Sequence, residues 1–197
     1  MNSHELRWYH GLSRPLVYGF FYLIISREII GRGGKMEKRN MPGVGLGVII
    51  LNDLGEVLLL LRNSEPEKAL SNMHLEGTWT LPAGKVKYGE TLKEAAVRKV
   101  KQETNLDIDK DSLVLVSVAD DINEYDHFVT FGFLARSYEG QIDLGDTLEQ
   151  VDYKFYALES LPMNLCDPSK KIISNYLDNC VYRENESFEY LKRKKEL

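Results

Sequence analysis

The sequence contains little cysteine, and this limits the redox and zinc chemistry it could carry. Only Cys166 and Cys180 occur in 197 residues. They form no CxxC pair, and no histidine lies at the spacing of a zinc site. We therefore expect two free thiols in a reducing compartment, which predicts a cytoplasmic protein.

The sequence also lacks an excess of basic residues. Its 25 lysines and arginines are outnumbered by 30 aspartates and glutamates, which gives a net charge of −5. A protein that binds along a nucleic-acid backbone needs clustered positive charge. We therefore do not expect a nucleic-acid duplex as a partner, whereas a nucleotide-type small molecule could still bind through a metal ion and a few placed cations.

No apolar run is long enough to span a bilayer. The longest lies in RPLVYGFFYLIIS, Arg14 to Ser26, and has about eleven apolar residues where a spanning helix needs roughly 20. A signal peptide is not expected either, because REIIGRGG follows in place of a small-residue cleavage site. Residues 1–40 are interpreted as an extension, either a helix packed on the domain or a membrane surface, or a leader upstream of a start at Met36.

The chain does contain enough sequence with strand and helix patterns of apolar residues to form one domain. Its length and its hydrophobic content of 43% suit a single globular domain, predicted over residues 41–182 and followed by a charged tail, 183–197. Two β-rich runs around Asn52, Asp53 and Gly55 predict a hairpin that ends near Arg62. Further strands are predicted in SLVLVSVAD, HFVTFGFLAR and VDYKFYAL.

Two helices complete the predicted fold. Apolar residues recur every four positions from Leu92, and Thr91 can act as an N-cap, so a helix is expected over 92–104. A second helix is expected in PSKKIISNYLDN, which Pro168 opens. The order of strands and helices predicts an α/β fold in which a mixed β-sheet is sandwiched between helices.

The stretch GTWTLPAGKVKYGETLKEAAVRKVKQETNL resembles the signature of the Nudix hydrolases. That signature is a Gly, five residues, a Glu, seven residues, and then Arg-Glu-hydrophobic-x-Glu-Glu-x-Gly-hydrophobic. The positions that match are Gly84, Glu90, Arg98, Val100, Glu103 and Leu106. The resemblance covers roughly 44–179 and implies the Nudix fold. It also implies cleavage of a nucleoside diphosphate linked to another group, such as a nucleotide sugar or a nucleoside triphosphate, with Mg²⁺ or Mn²⁺.

Such chemistry has a physical need for carboxylates at one place. A diphosphate carries negative charges that repel an incoming nucleophile, so a divalent cation must neutralise them and orient the attack. Magnesium prefers oxygen ligands and is usually held by one or two carboxylates together with substrate oxygens and water.

Three positions depart from the signature. Lys99 and Gln102 replace two of its glutamates, and Asn105 replaces its final glycine, which asparagine tolerates at a left-handed helix end. Because Lys99 and Glu103 are four residues apart, their side chains can meet on one helix face. They form either an exposed ion pair of little energetic weight, or a site where the ammonium partly fills the place of a cation or contacts the phosphates of the substrate.

This pattern of losses is similar to that of the GDP-mannose mannosyl hydrolases, a branch of the same family. The resemblance implies that Arg62 assists the departing diphosphate and that Glu149 is a downstream metal ligand. Gln150 stands where that branch has its catalytic histidine, and Gly47 where it has an aspartate.

The resemblance therefore implies a metal site formed by Glu103, Glu149 and the Gly84 carbonyl. Glu103 and Arg62 are the candidate catalytic residues, and Arg62 and Lys99 the candidate substrate-binding residues. The rival hypothesis is a catalytically impaired nucleotide-binding module that acts as a sensor or interaction partner. The sequence does not determine the oligomeric state, and a homodimer stays open.

Four further residues are candidates, three of them with two interpretations each. Asp120 and Asp121 could approach a metal from a loop or be turn residues. His127 could lie near the site or be a packed or surface residue, and Trp79 most simply packs the core beside the motif.

Overall fold

The structure, a computed structural model, describes residues 41–66, 68, 75–122, 127–145 and 148–182. The predicted extension and the charged tail lie outside the described residues. The secondary structure of the described part is β1 Gly43–Ile50, β2 Val57–Arg62, β3 Trp79–Thr80, β4 Ala83–Lys85, α1 Leu92–Thr104, β5 Val114–Ile122, β6 His127–Ala135, β7 Gln150–Tyr156 and α2 Asp167–Leu177.

The strands form two sheets. One has four strands in the order β4-β1-β6-β5 and is mixed, because β1 runs parallel to β6 and antiparallel to β4. The other is antiparallel, with three strands in the order β3-β2-β7. This is an α/β fold, as predicted.

The predicted hairpin is wrong in its pairing. The two strands and the turn between them occur where expected, and the Asn52 side chain organises the turn by accepting hydrogen bonds from the backbone N–H groups of Leu54 and Glu56. However, β1 and β2 belong to different sheets and are linked only by an isolated bridge between Leu51 and Val57. Local apolar patterning predicts strands, whereas partner choice depends on residues far along the chain.

Helix α1 has the predicted bounds, and its ends explain them. Thr91 accepts a hydrogen bond from the N–H of Glu94, whose carboxylate in turn accepts from the N–H of Thr91, so the pair forms a capping box. Asn105 ends the helix in the left-handed region, at φ 59°. Ala95, Ala96 and Val100 are fully buried against the mixed sheet.

Helix α2 begins at Asp167, one residue before Pro168, and covers the opposite face of the mixed sheet. It approaches the strands closely because glycines face it. A Cβ at Gly47 would meet Ile172 Cδ1 at 2.9 Å, and a Cβ at Gly132 would also clash with Ile172. Trp79 packs against the same apolar cluster as Ile172, with its ring 5.2 Å from that of Tyr156. This position is as expected for a core residue.

The two helices thus lie on opposite faces of the mixed sheet, and the motif belongs to α1. In the part of the chain that the structure describes, no helix combines the length and hydropathy that a membrane span requires.

Candidate active site

Glu103 is the central carboxylate of the site and is buried near the end of α1. Its Oε2 accepts a hydrogen bond of 2.9 Å from the N–H of Ala83, which lies on β4. Burial raises the pKa of Glu103, the Lys99 ammonium and the Ala83 N–H lower it, and the Glu149 carboxylate raises it further.

Lys99 pairs with the other oxygen of Glu103. Its Nζ lies 2.6 Å from Oε1, and the two side chains are only 16% and 8% exposed. Of the two alternatives that the sequence left open, the exposed ion pair is therefore wrong. The four-residue spacing brings the two groups together on α1, but the burial comes from β4, which packs against the same helix face.

Gly84 lies directly beneath the Lys99 side chain. A Cβ at residue 84 would meet Lys99 Cδ at 2.7 Å, so any larger residue would force the lysine to move. The glycine of the motif is what allows the lysine to reach Glu103 from this direction.

Arg62 and Glu149 form the second charged pair of the site. Arg62 ends β2 and Glu149 precedes β7, and Nη2 of the arginine donates to Oε1 of the glutamate at 3.0 Å. A register shift between Leu61 and Arg62 interrupts the β2–β7 ladder at this place. Such irregularities redirect side chains next to functional sites.

Arg98 and Glu90 brace the loop that precedes α1. Arg98 Nε and Nη2 donate to the two carboxylate oxygens of Glu90 at 2.5 and 2.9 Å, and Nη2 also donates to the Lys85 carbonyl. The hydrogen bonds from Arg98 lower the pKa of Glu90 to about 2. Gln102 accepts a hydrogen bond from Arg98 Nη1 at 3.1 Å, so its side chain belongs to this brace.

Gln150 is a residue whose position sequence reasoning noted without assigning it a role. It pairs with Arg62 across the ladder and is 4% exposed. Within the described part of the chain, neither its amide nitrogen nor its amide oxygen has a hydrogen-bond partner. Buried amides normally have hydrogen-bond partners, so an amide without one is unusual. This amide adds a polar group next to the Arg62–Glu149 pair. Composition and residue spacing do not indicate this position, because only the pairing register of β2 and β7 places Gln150 beside Arg62.

The remaining candidates lie elsewhere or serve the fold. Asp120 and Asp121 belong to β5 and not to a loop or turn. Asp121 binds Lys171 of α2 at 2.8 Å, and Asp120 accepts from the Tyr182 hydroxyl at 3.1 Å. His127 begins β6 and has its Nε2 3.9 Å from Asp120.

The ligand set expected from the sequence, Glu103, Glu149 and the Gly84 carbonyl, consists of oxygen atoms only. Two carboxylates and a carbonyl suit Mg²⁺ or Mn²⁺ when substrate oxygens and water complete the shell. Across the described ranges, no cluster of three or more histidine, cysteine or acidic residues could hold a metal ion by itself. The residues therefore fit a cation shared with a phosphate ligand, but the Lys99 ammonium is already bound to one of the carboxylates.

Comparison with known proteins identifies the domain. The family model described as "NUDIX domain" matches residues 41–176. The chain is 32% identical over 136 residues to the ADP-ribose pyrophosphatase of Methanocaldococcus jannaschii, covering 69% of this chain and 73% of that protein. It is 31% identical over 130 residues to the human 8-oxo-dGDP phosphatase NUDT18, which covers 65% of this chain but only 36% of that protein.

A solved structure shows the same similarity in three dimensions. The MutT NUDIX hydrolase of Burkholderia pseudomallei matches with a TM-score of 0.60 and 27% identity, over 69% of this chain and 98% of that one. A third relative in sequence is the NAD-capped RNA hydrolase NudC of Photorhabdus laumondii, 36% identical over 108 residues, which is 55% of this chain and 39% of that protein.

Proposed function

Because this chain belongs to the Nudix domain family, we propose that it hydrolyses a nucleoside diphosphate linked to another group, with Mg²⁺ or Mn²⁺ held by Glu103, Glu149 and the Gly84 carbonyl. Nudix hydrolases generally use such divalent ions. ADP-ribose and the NAD cap, the named substrates of two relatives, contain a nucleoside diphosphate linked to another group, which supports this substrate class. The third named substrate, 8-oxo-dGDP, is a nucleoside diphosphate itself.

The observation that carries the proposal is the buried carboxylate of Glu103, which pairs with Lys99 next to the motif glycine, Gly84. Carboxylates withdrawn from water are costly unless cations or hydrogen bonds compensate. In this site the compensating groups are Lys99 and Arg62, each of which could also contact phosphate oxygens. The bound divalent ion would supply neutralisation of the diphosphate charge.

Arg62 is proposed to stabilise the departing diphosphate. A guanidinium is always protonated and can donate two hydrogen bonds to a phosphate. Arg62 is held by Glu149 next to the proposed metal site, so binding and departure of a diphosphate would occur beside one fixed cation.

Turnover is expected to be slow compared with a chain that has the full motif. Lys99 stands where the motif has a glutamate, and Gln102 is bonded to Arg98. Losing a positioned base costs about 10²- to 10⁴-fold in rate.

The experiment is a substrate panel. Nucleotide sugars (GDP-mannose among them), ADP-ribose, dinucleotides and nucleoside triphosphates are incubated with the chain and Mg²⁺ or Mn²⁺, and products are separated with and without added phosphatase. We expect metal-dependent release of product from at least one diphosphate compound. Turnover of GDP-mannose to GDP, by cleavage at the sugar carbon and not within the diphosphate, would support the mannosyl hydrolase branch, which stays a prediction.

A second candidate function rests on the Lys99–Glu103 pair. An ammonium bound to the central carboxylate is suited to binding a phosphate ligand without hydrolysing it. Tight binding of a nucleotide, with no turnover of any panel compound, would favour this sensor or interaction module over the hydrolase. The cytoplasmic location and a homodimer likewise remain predictions, for cell fractionation and light scattering to test.

A further inference from the structure

The Lys99 side chain occupies a path that only a glycine leaves open. Its Cδ and Cε pass over Gly84, where a Cβ would clash with both. The ammonium then reaches Glu103 Oε1 at 2.6 Å, while the Ala83 N–H holds Oε2 at 2.9 Å. Both oxygens of the central carboxylate are therefore bound to groups of the chain itself.

The charges of the site already balance. Lys99 neutralises Glu103, and Arg62 neutralises Glu149. A divalent ion that joined these four groups without any displacement would give a net charge of +2 and would lie next to an ammonium. Buried charges of one sign repel strongly, because little water screens them.

We propose that the Lys99 ammonium is a tethered cation that occupies the divalent ion's place at Glu103, so that a metal ion binds this carboxylate only by displacing the lysine. This inference rests on the metal site of the proposed function. It adds that Lys99 lowers the metal affinity of the unliganded chain.

Lysine is suited to such an exchange. Its ammonium is a compact charge on a flexible stem, so it can leave one carboxylate and bind another oxygen ligand. Lys99 and Glu103 lie on the same helix, so their separation breaks no ion pair between elements of the fold. A phosphate oxygen of the substrate is a suitable new partner.

The test is a Mn²⁺ titration without any nucleotide. Calorimetry or Mn²⁺ electron paramagnetic resonance compares the full chain with Lys99→Met and with Lys101→Met. Lys101 is two residues away on α1 and pairs with Asp107 at the surface, so the control removes the same charge from the same helix. We expect Lys99→Met to bind Mn²⁺ about ten-fold tighter or more, the scale on which groups around a metal site alter affinity, and Lys101→Met to bind like the unchanged chain.

Lys99→Met leaves Glu103 without its cation and could fold poorly, so Lys99→Gln is measured beside it. The glutamine amide can still donate to the carboxylate but carries no charge. A second readout is the melting temperature, which Mn²⁺ should raise more in either Lys99 variant than in the unchanged chain, since a ligand stabilises the state that binds it. Equal or weaker Mn²⁺ binding in the folded Lys99 variants would overturn the proposal.

The location of the gained ion is tested by adding Glu103→Gln to Lys99→Gln. The gain should disappear in the double variant, and a gain that persists would place the ion elsewhere and overturn the proposal. The titration uses no substrate, so its outcome is separate from the panel. A gain of affinity without turnover would refute only the hydrolase, and turnover without a gain would refute only the tethered cation.

Discussion

The described part of the molecule contains two lysine–carboxylate pairs in which the acid is buried, with nearly the same geometry and different surroundings. Lys99–Glu103 spans 2.6 Å, and Lys171–Asp121 spans 2.8 Å. Glu103 and Asp121 are almost equally buried, at 8% and 7% side-chain exposure. Neither distance nor burial of the acid distinguishes the pairs.

What differs is which elements each pair connects. Lys171 joins α2 to β5 and also donates to the Asp120 carbonyl at 2.8 Å, while Asp121 accepts a hydrogen bond from the Thr130 hydroxyl. Lys99 and Glu103 lie on one helix, so their ion pair joins no second element to α1. We infer that the first pair serves stability and that the second serves a ligand.

The largest expected effect is on folding. Asp121→Asn should lower the free energy of unfolding by about 3 kcal/mol, because the buried carboxylate accepts charge-assisted hydrogen bonds from Lys171 of α2 and from the Thr130 hydroxyl of β6. Glu103→Gln should cost about 1 kcal/mol or less, because the flexible Lys99 side chain can turn toward water. Urea unfolding monitored by circular dichroism measures both, and an equal loss in the two variants would contradict the comparison.

The next effect concerns metal binding. Glu103→Gln should weaken Mn²⁺ binding by about 100-fold and Glu149→Gln should weaken it again, because each removes a proposed ligand. Asp121→Asn is the matched control, since it removes an equally buried carboxylate and should leave Mn²⁺ binding unchanged in the folded protein. Calorimetry measures all three variants, and unaltered binding in both glutamate variants would refute the ligand assignment.

A smaller effect is expected on turnover. Lys99→Glu combined with Gln102→Glu should raise the rate on at least one panel substrate by about ten-fold or more, because it restores a potential base and removes the competing ammonium. Lys101→Glu, which reverses the charge of a lysine at the surface of α1, should not. If the chain cleaves a nucleotide sugar as the mannosyl hydrolases do, with fewer carboxylates around the metal, the unchanged protein should already be active. The double variant should then gain little.

The smallest effect is expected for a third ion pair, Glu90–Arg98, whose carboxylate is nearer to the surface than those of the other two pairs. The pKa of Glu90 is lowered to about 2 from its ordinary 4.5, so ionised Glu90 stabilises the fold above pH 4.5, and this stability is lost as the pH falls toward 2. With screening by water, the contribution is about 1 kcal/mol. The loss of unfolding free energy between pH 6 and pH 3 should be smaller by this amount in Glu90→Gln, and an identical loss would contradict the role of the brace.

Some of the candidate site could be predicted because it lies within one continuous stretch. The four-residue spacing was enough to bring Lys99 to Glu103, and the ends of α1 follow from Thr91 and Asn105, which act on their own neighbours. The contact between Arg62 and Glu149, in contrast, joins residues 87 positions apart. The family resemblance suggested both residues, but no local pattern indicates that they pair.

By itself, the sequence determined the two helices and the longer strands of this protein, but not the short strands β3 and β4. Helix periodicity, caps and turn residues act over a few positions and need no partner. Tertiary structure alone decided which sheet each strand joined, since β1 and β2 found their partners in distant strands. It also decided that Lys99 is buried over Gly84 and that the unbonded amide of Gln150 lies beside Arg62. Burial and pairing are set by what packs against a residue, and for these residues the packing comes from parts of the chain that are far away in sequence.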